Sequence, residues 1–98
     1  MDNEIEDYIN YVRFERRLTE NTIYSYHEDL IKYRDYLETL KVFKAEDITK
    51  EDISNYLIYL KQNEYTITSI ARKLTTIKNF HNYLFQKGII KHDVSQTI

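Results

Sequence analysis

The sequence predicts an all-α domain, a four-helix bundle, on three observations. Apolar residues recur at spacings of three and four in four successive segments, the period of a helix with one buried face. Proline is absent and glycine occurs once, which excludes a hairpin-rich fold whose tight turns need glycine at positive φ. A chain of 98 residues can bury one modest core and no more, so residues 1–98 are read as a single domain. With 31% charged and 42% hydrophobic residues, its composition is that of a globular chain.

The first helix is expected from Asn3 to Arg17. Ile5, Tyr8, Ile9 and Val12 form one apolar stripe. Acids gather at its start and Arg13, Arg16 and Arg17 at its end, the order the helix dipole favours. Thr19 then caps a second helix, with Glu20 in its first turn. Tyr26, Leu30, Tyr33, Leu37 and Leu40 follow at helical spacing for about five turns. The segment Lys41–Ile48 has no period and reads as a connection. Thr49-Lys50-Glu51-Asp52 is a capping-box variant that opens a third helix. Its stripe is Ile53, Leu57 and Leu60 with Tyr56 beside it, and Gln62-Asn63-Glu64 ends it. Thr66-Ile67-Thr68-Ser69 opens a fourth helix, with Ile70, Leu74, Ile77 and Leu84 on one face and Phe80 at its border. Gly88 supplies its left-handed stop. Ile89 and Ile90 fold back onto the bundle, and Lys91–Ile98 carries no pattern.

Composition removes several functions. Without cysteine there are no disulfides, thiolate nucleophiles or Cys-type zinc sites. A single glycine leaves no Gly-rich phosphate loop. No apolar run approaches the roughly 18 residues of a membrane span. The acidic start fits neither a secretory signal nor a transit peptide, and a cytoplasmic location is expected. His27, His81 and His92 have no partner at metal-ligand spacing; His81, on or beside the apolar stripe, reads as a core or boundary histidine with one hydrogen bond. The carboxylates fall at helix starts and on outer faces, so none is assigned acid–base work. The expectation is a chain with no catalytic residue, no metal and no cofactor.

The charge is arranged by sign. Met1–Asp7 carries four acids and no base, whereas Tyr65–His92 has no acid and holds Arg72, Lys73, Lys78, Lys87 and Lys91. Such asymmetry marks a face made for an anionic partner, although the net charge is −2. On the fourth helix Thr68, Ser69, Arg72, Lys73, Thr76 and Asn79 are expected outside the apolar stripe, and spacings of three and four align 69, 72 or 73, and 76. Cations neutralise phosphates, and short hydroxyls donate hydrogen bonds without bulk. A free helix N-terminus adds amides and partial positive charge. Asn21, Thr22 and Ser25 repeat the theme on the second helix, where asparagine can read adenine edges. A helical protein-interaction module without nucleic-acid binding is the competing reading; it accommodates the net negative charge and ten tyrosines.

Leu18–Leu37 and Thr66–Leu84 together resemble the amino-terminal core-binding domain, also called SAM-like, of the phage-integrase and Xer-type tyrosine recombinases. Tyr26, Asp29 and Leu30 match the Y-x-x-D-L of the family's T-x-x-Y-x-x-D-L pattern, with Tyr26 in the family's tyrosine position and Thr22 one residue further ahead of it than the pattern has. Ser69-Ile70-Ala71-Arg72-Lys73-Leu74-Thr75-Thr76-Ile77-Lys78-Asn79-Phe80 matches most of its fourth-helix pattern, T-[IV]-x-R-x-L-S-A-L-R-x-F. Two departures stand out: His81 where the family often has Phe, and Asp93-Val94 where an Asn-Pro often leads towards a catalytic domain. The resemblance implies a four-helix orthogonal bundle that binds duplex DNA as half of a C-shaped clamp. Arg72 would contact a phosphate; Lys73 and Thr76, with Asn21, Thr22 and Ser25, would lie towards the major groove. It further implies a separate catalytic domain, absent from these residues, carrying the Arg, His-x-x-Arg and Tyr constellation. Other recombinase subunits would be partners in a synaptic tetramer, with the isolated domain a monomer.

Overall fold

A computed structural model describes all residues, Met1–Ile98. It contains α1 (Asp2–Phe14), α2 (Glu20–Thr39), a single 3₁₀ turn (Ala45–Asp47), α3 (Lys50–Gln62) and α4 (Ile67–Gln86), with no strand. This is the all-α, four-helix SAM-like bundle expected. The N-termini form where the sequence placed them. Thr19 Oγ1 accepts from Thr22 N at 3.3 Å and Thr66 Oγ1 from Ser69 N at 3.1 Å. Thr49 and Asp52 complete a reciprocal capping box, each side chain accepting from the other's backbone N–H at 3.1 and 2.9 Å.

The C-termini are less conventional. Helix α1 ends at Phe14 rather than Arg17, and the chain turns left-handed at Arg17, φ 53°. Lys41 and Glu64 adopt the same conformation at φ 60° and 66°, and Gly88 at 74°. After the last three, the next residue's N–H reaches back to the helix: Val42 to Leu37 O at 3.0 Å, Tyr65 to Leu60 O at 3.1 Å, Ile89 to Leu84 O at 2.9 Å. Three helices therefore close by the same Schellman-type bond, two of them without the glycine that makes it cheap.

The core draws on every element: Ile5, Tyr8, Ile9 and Val12 from α1, Ile23, Leu30, Tyr33 and Leu37 from α2, Ile53, Tyr56 and Leu60 from α3, Ile77, Phe80 and Leu84 from α4. Ala45, Ile48 and Ile90 complete it from the connections. Leu40, expected at the end of the α2 stripe, is exposed at the cap. Tyr56 and Phe80 are inside, while Leu57, Ile70 and Leu74 are only half-buried, so the buried stripes are rotated slightly from their expected centres. The unpatterned tail packs too: Ser95 is buried, and Lys78 Nζ donates to the main-chain oxygen of Ile98 at 2.9 Å.

His81 is wholly buried, and its Nε2 shares a hydrogen bond with the Tyr33 hydroxyl at 2.9 Å. The core histidine with one hydrogen bond is what the structure has. Burial pushes its imidazole down from 6.5 to about 4, against a smaller opposing pull from Asp93. Burial likewise raises the Tyr33 hydroxyl well above the usual tyrosine range, so the pair is neutral throughout physiological pH.

Two outcomes follow from this packing. The unfolded chain takes up a proton near 6.5 that folded His81 refuses until about 4. Stability is therefore full above pH 6.5 and falls between 6.5 and 4, by on the order of 3 kcal/mol at most. Urea unfolding across that range should show the slope, and His81→Phe should flatten it. Gly88→Ala should cost about 1 kcal/mol in the same assay, wholly through the left-handed backbone, because an added Cβ meets no atom within 4 Å.

Candidate nucleic-acid interface

The site is built where α2 crosses α4. Asp29 on α2 is a buried carboxylate, 2% exposed, inside a bundle of mostly apolar contacts. It can exist there only if it is paired and hydrogen-bonded. Helix α4 supplies all its partners. Arg72 Nη2 and Lys73 Nζ both donate to Oδ1 at 2.8 Å, and Thr76 Oγ1 donates to Oδ2 at 3.1 Å. Thr76 Oγ1 also donates to the Arg72 carbonyl at 3.2 Å, tying the turn that carries the arginine. One turn further along both helices, Tyr33 meets His81. Because the contacts climb α2 and α4 together, the helices run in the same sense where they meet, which brings their N-terminal turns to the same end.

The expected site residues divide on this geometry. Lys73 and Thr76 are 3% and 0% exposed, which corrects their expected place on the outer flank. Their polar atoms turn inward because Asp29 must be satisfied. Lys73 also lies 5.3 Å above the Tyr65 ring, which closes over its ammonium. Asp29 is the residue that the sequence reading missed, since its carboxylates were all placed at helix starts and outer faces. The available signal was its position, three residues after Tyr26 and four before Tyr33, on the apolar side of α2.

The remaining candidates stay at the surface. Asn21, Thr68 and Arg72 are exposed, and Thr22, Ser25 and Ser69 half-exposed. The Arg72 side chain is 52% exposed even while bonded to Asp29. Asn21, Thr22 and Ser25 lie one to two turns before Asp29 on the same side of α2. Thr68 and Ser69 hold the matching place before Arg72 on α4. The Thr22 hydroxyl accepts from Thr19 Oγ1 at 2.9 Å, so it belongs to the cap as well as to the face. The first turn of α4 carries no acid, leaving its amide dipole uncompensated; that of α2 carries Glu20, held by Arg13 at 3.4 Å.

Other charged groups form surface pairs: Arg34 of α2 with Asp2 of α1 at 2.9 Å and with its neighbour Asp35 at 2.8 Å, and His27 of α2 with Glu6 of α1 at 3.0 Å. The first and last of these draw Asp2 and Glu6 of α1 onto α2. No group of three or more histidine and carboxylate side chains converges as a metal site would require.

Comparison with known proteins agrees with the architecture. Residues 5–88 match the family described as phage integrase, N-terminal SAM-like domain. The chain is 30% identical over its whole length to a tyrosine recombinase XerC of Roseiflexus castenholzii. It is 36% identical over 95% of its length to a tyrosine recombinase XerD of Staphylococcus saprophyticus, and 34% identical over 93% to one of Oceanobacillus iheyensis. It spans 31–32% of the length of these relatives. No solved structure matches it.

The buried network carries its own expected outcome. Asp29→Ala strands the Lys73 ammonium in the interior and should cost about 3–5 kcal/mol. Arg72→Ala removes a half-exposed donor and should cost no more than about 1 kcal/mol. Denaturant unfolding of the two variants should show that ratio.

Proposed function

The chain belongs to the phage integrase N-terminal SAM-like domain family, and from that premise we propose that it is the non-catalytic DNA-binding domain of a tyrosine recombinase. In this reading α2 and α4 lie across the major groove and grip one side of the duplex. A separate catalytic domain, which would account for the greater length of its relatives, acts from the other side. Further recombinase subunits join it in a synaptic tetramer.

The observation that supports this best is the shared end of α2 and α4. Two threonine-capped N-termini lie towards that end, with Asn21, Thr68 and Arg72 exposed and Thr22, Ser25 and Ser69 half-exposed. Arg72 supplies a charge-assisted contact to a phosphate, the hydroxyls and first-turn amides supply neutral donors, and Asn21 is suited to a base edge. Ile67, 84% exposed in the first turn of α4, would offer an apolar surface to a thymine methyl. Lys73 and Thr76 have no part in contacting DNA.

The net charge of −2 fits weak binding by the isolated chain, with most of the affinity arising from few phosphate contacts.

Arg72→Ala should weaken duplex binding about tenfold at low salt and lower the salt slope by about one. Fluorescence anisotropy titrations at several ionic strengths check this. Identical affinity and slope for the two proteins would remove Arg72 from the interface.

A further inference from the structure

We propose that Asp29 and Lys73, though sealed from solvent, are positioning residues for DNA binding: together they fix the Arg72 guanidinium in place while leaving its charge for a backbone phosphate. The inference deepens the reading above and rests on it.

A single carboxylate faces two cations in this cluster. Their Nζ and Nη2 atoms are each 2.8 Å from the same oxygen of Asp29. The cations are not equivalent. Lys73 is 3% exposed and capped by Tyr65, so it has no other acceptor and no route to one. Arg72 is 52% exposed, and the bond to Asp29 is the one hydrogen bond its side chain makes within the protein. Charge interactions strengthen as the local dielectric falls, so the buried ammonium is the lasting counter-ion of the buried carboxylate. The cluster of one acid and two bases keeps a formal charge of +1, and that charge sits on the group that reaches solvent.

The geometry adds preorganisation. A guanidinium has five N–H donors in a rigid fork. One is anchored by Asp29, which orients the plane, and the others stay open. The Thr76 hydroxyl, bonded to both Asp29 and the Arg72 carbonyl, holds the same turn of backbone. An arginine immobilised in the free protein loses less freedom on binding a phosphate than one that is free to turn. An arginine paired to a lone surface carboxylate would be anchored but neutralised; Lys73 removes that conflict.

The test is a set of duplex-DNA titrations at low ionic strength with four proteins: the parent chain, Arg72→Ala, the charge-neutral pair Asp29→Asn with Lys73→Met, and all three changes combined. Far-UV circular dichroism checks the helices of each. The paired variant keeps the net charge, so a general Coulomb effect predicts unchanged binding. Positioning predicts a loss of at least about fivefold, stopping at that of Arg72→Ala, with a lower salt slope and no further loss in the triple variant. Parent-like binding by the paired variant, a loss well beyond that of Arg72→Ala, or losses that add in the triple variant would each overturn the positioning role while leaving the interface standing. Parent-like binding by Arg72→Ala would instead overturn the interface, and the positioning role with it. If the paired variant loses its helices, Asp29→Glu takes its place. It keeps every charge, moves the carboxylate by one methylene, and should show the same non-additivity with Arg72→Ala; parent-like or additive binding overturns the proposal there too.

Discussion

A buried carboxylate must find partners or it will not stay buried, and most of this molecule's arrangement near Asp29 answers that requirement. Asp29 stands on the inner side of α2, and α4 brings three donors to it within one turn. The network fixes which residues of the two helices meet, because a slip of one turn on α4 would strand both the acid and Lys73. Apolar packing alone specifies such a register less sharply, since one aliphatic side chain substitutes for another at small cost. The Tyr33–His81 bond repeats the device one turn on with neutral partners.

Around that axis the bundle uses aromatic packing where a chain of this size has little core to spare. Tyr8 packs edge-on to Phe80 at 5.6 Å, and Tyr33 lies 5.4 Å from Tyr56. Large rings bury much area per residue. The hydroxyl of Tyr33 finds His81, and the rings of Tyr8, Tyr11 and Tyr83 pack together between α1 and α4. With α1 and α3 thus occupied by the core on their inner sides, the N-terminal turns of α2 and α4 are left to solvent at one end.

What could be read from the residues, and what could not, follows from the rules each obeys. The caps at Thr19, Thr49 and Thr66 are local chemistry, a hydroxyl beside free amides, so three of four helix starts were legible to the residue. The ends of α2 and α3 were legible as well, at the unpatterned segment from Lys41 and at Gln62-Asn63-Glu64; the means of closure was not, because Lys41 and Glu64 take a left-handed conformation that such residues seldom adopt. The outer face was legible in part. Asn21, Thr22, Ser25, Thr68, Ser69 and Arg72 are at or near the surface as their polarity suggests. Lys73 and Thr76 obey a different constraint: polar residues turn inward when an interior charge needs them, and only the pairing of α2 with α4 shows that Asp29 is such a charge.

The claim on which the functional account stands is that duplex DNA meets the joint N-terminal end of α2 and α4. Amide chemical-shift mapping of the ¹⁵N-labelled chain, titrated with duplex DNA at low salt, observes that contact residue by residue. The account predicts shifts concentrated in residues 19–26 and 66–72. Shifts confined to α1 and α3, or none at about millimolar DNA, above the usual range of non-specific dissociation constants, would contradict it.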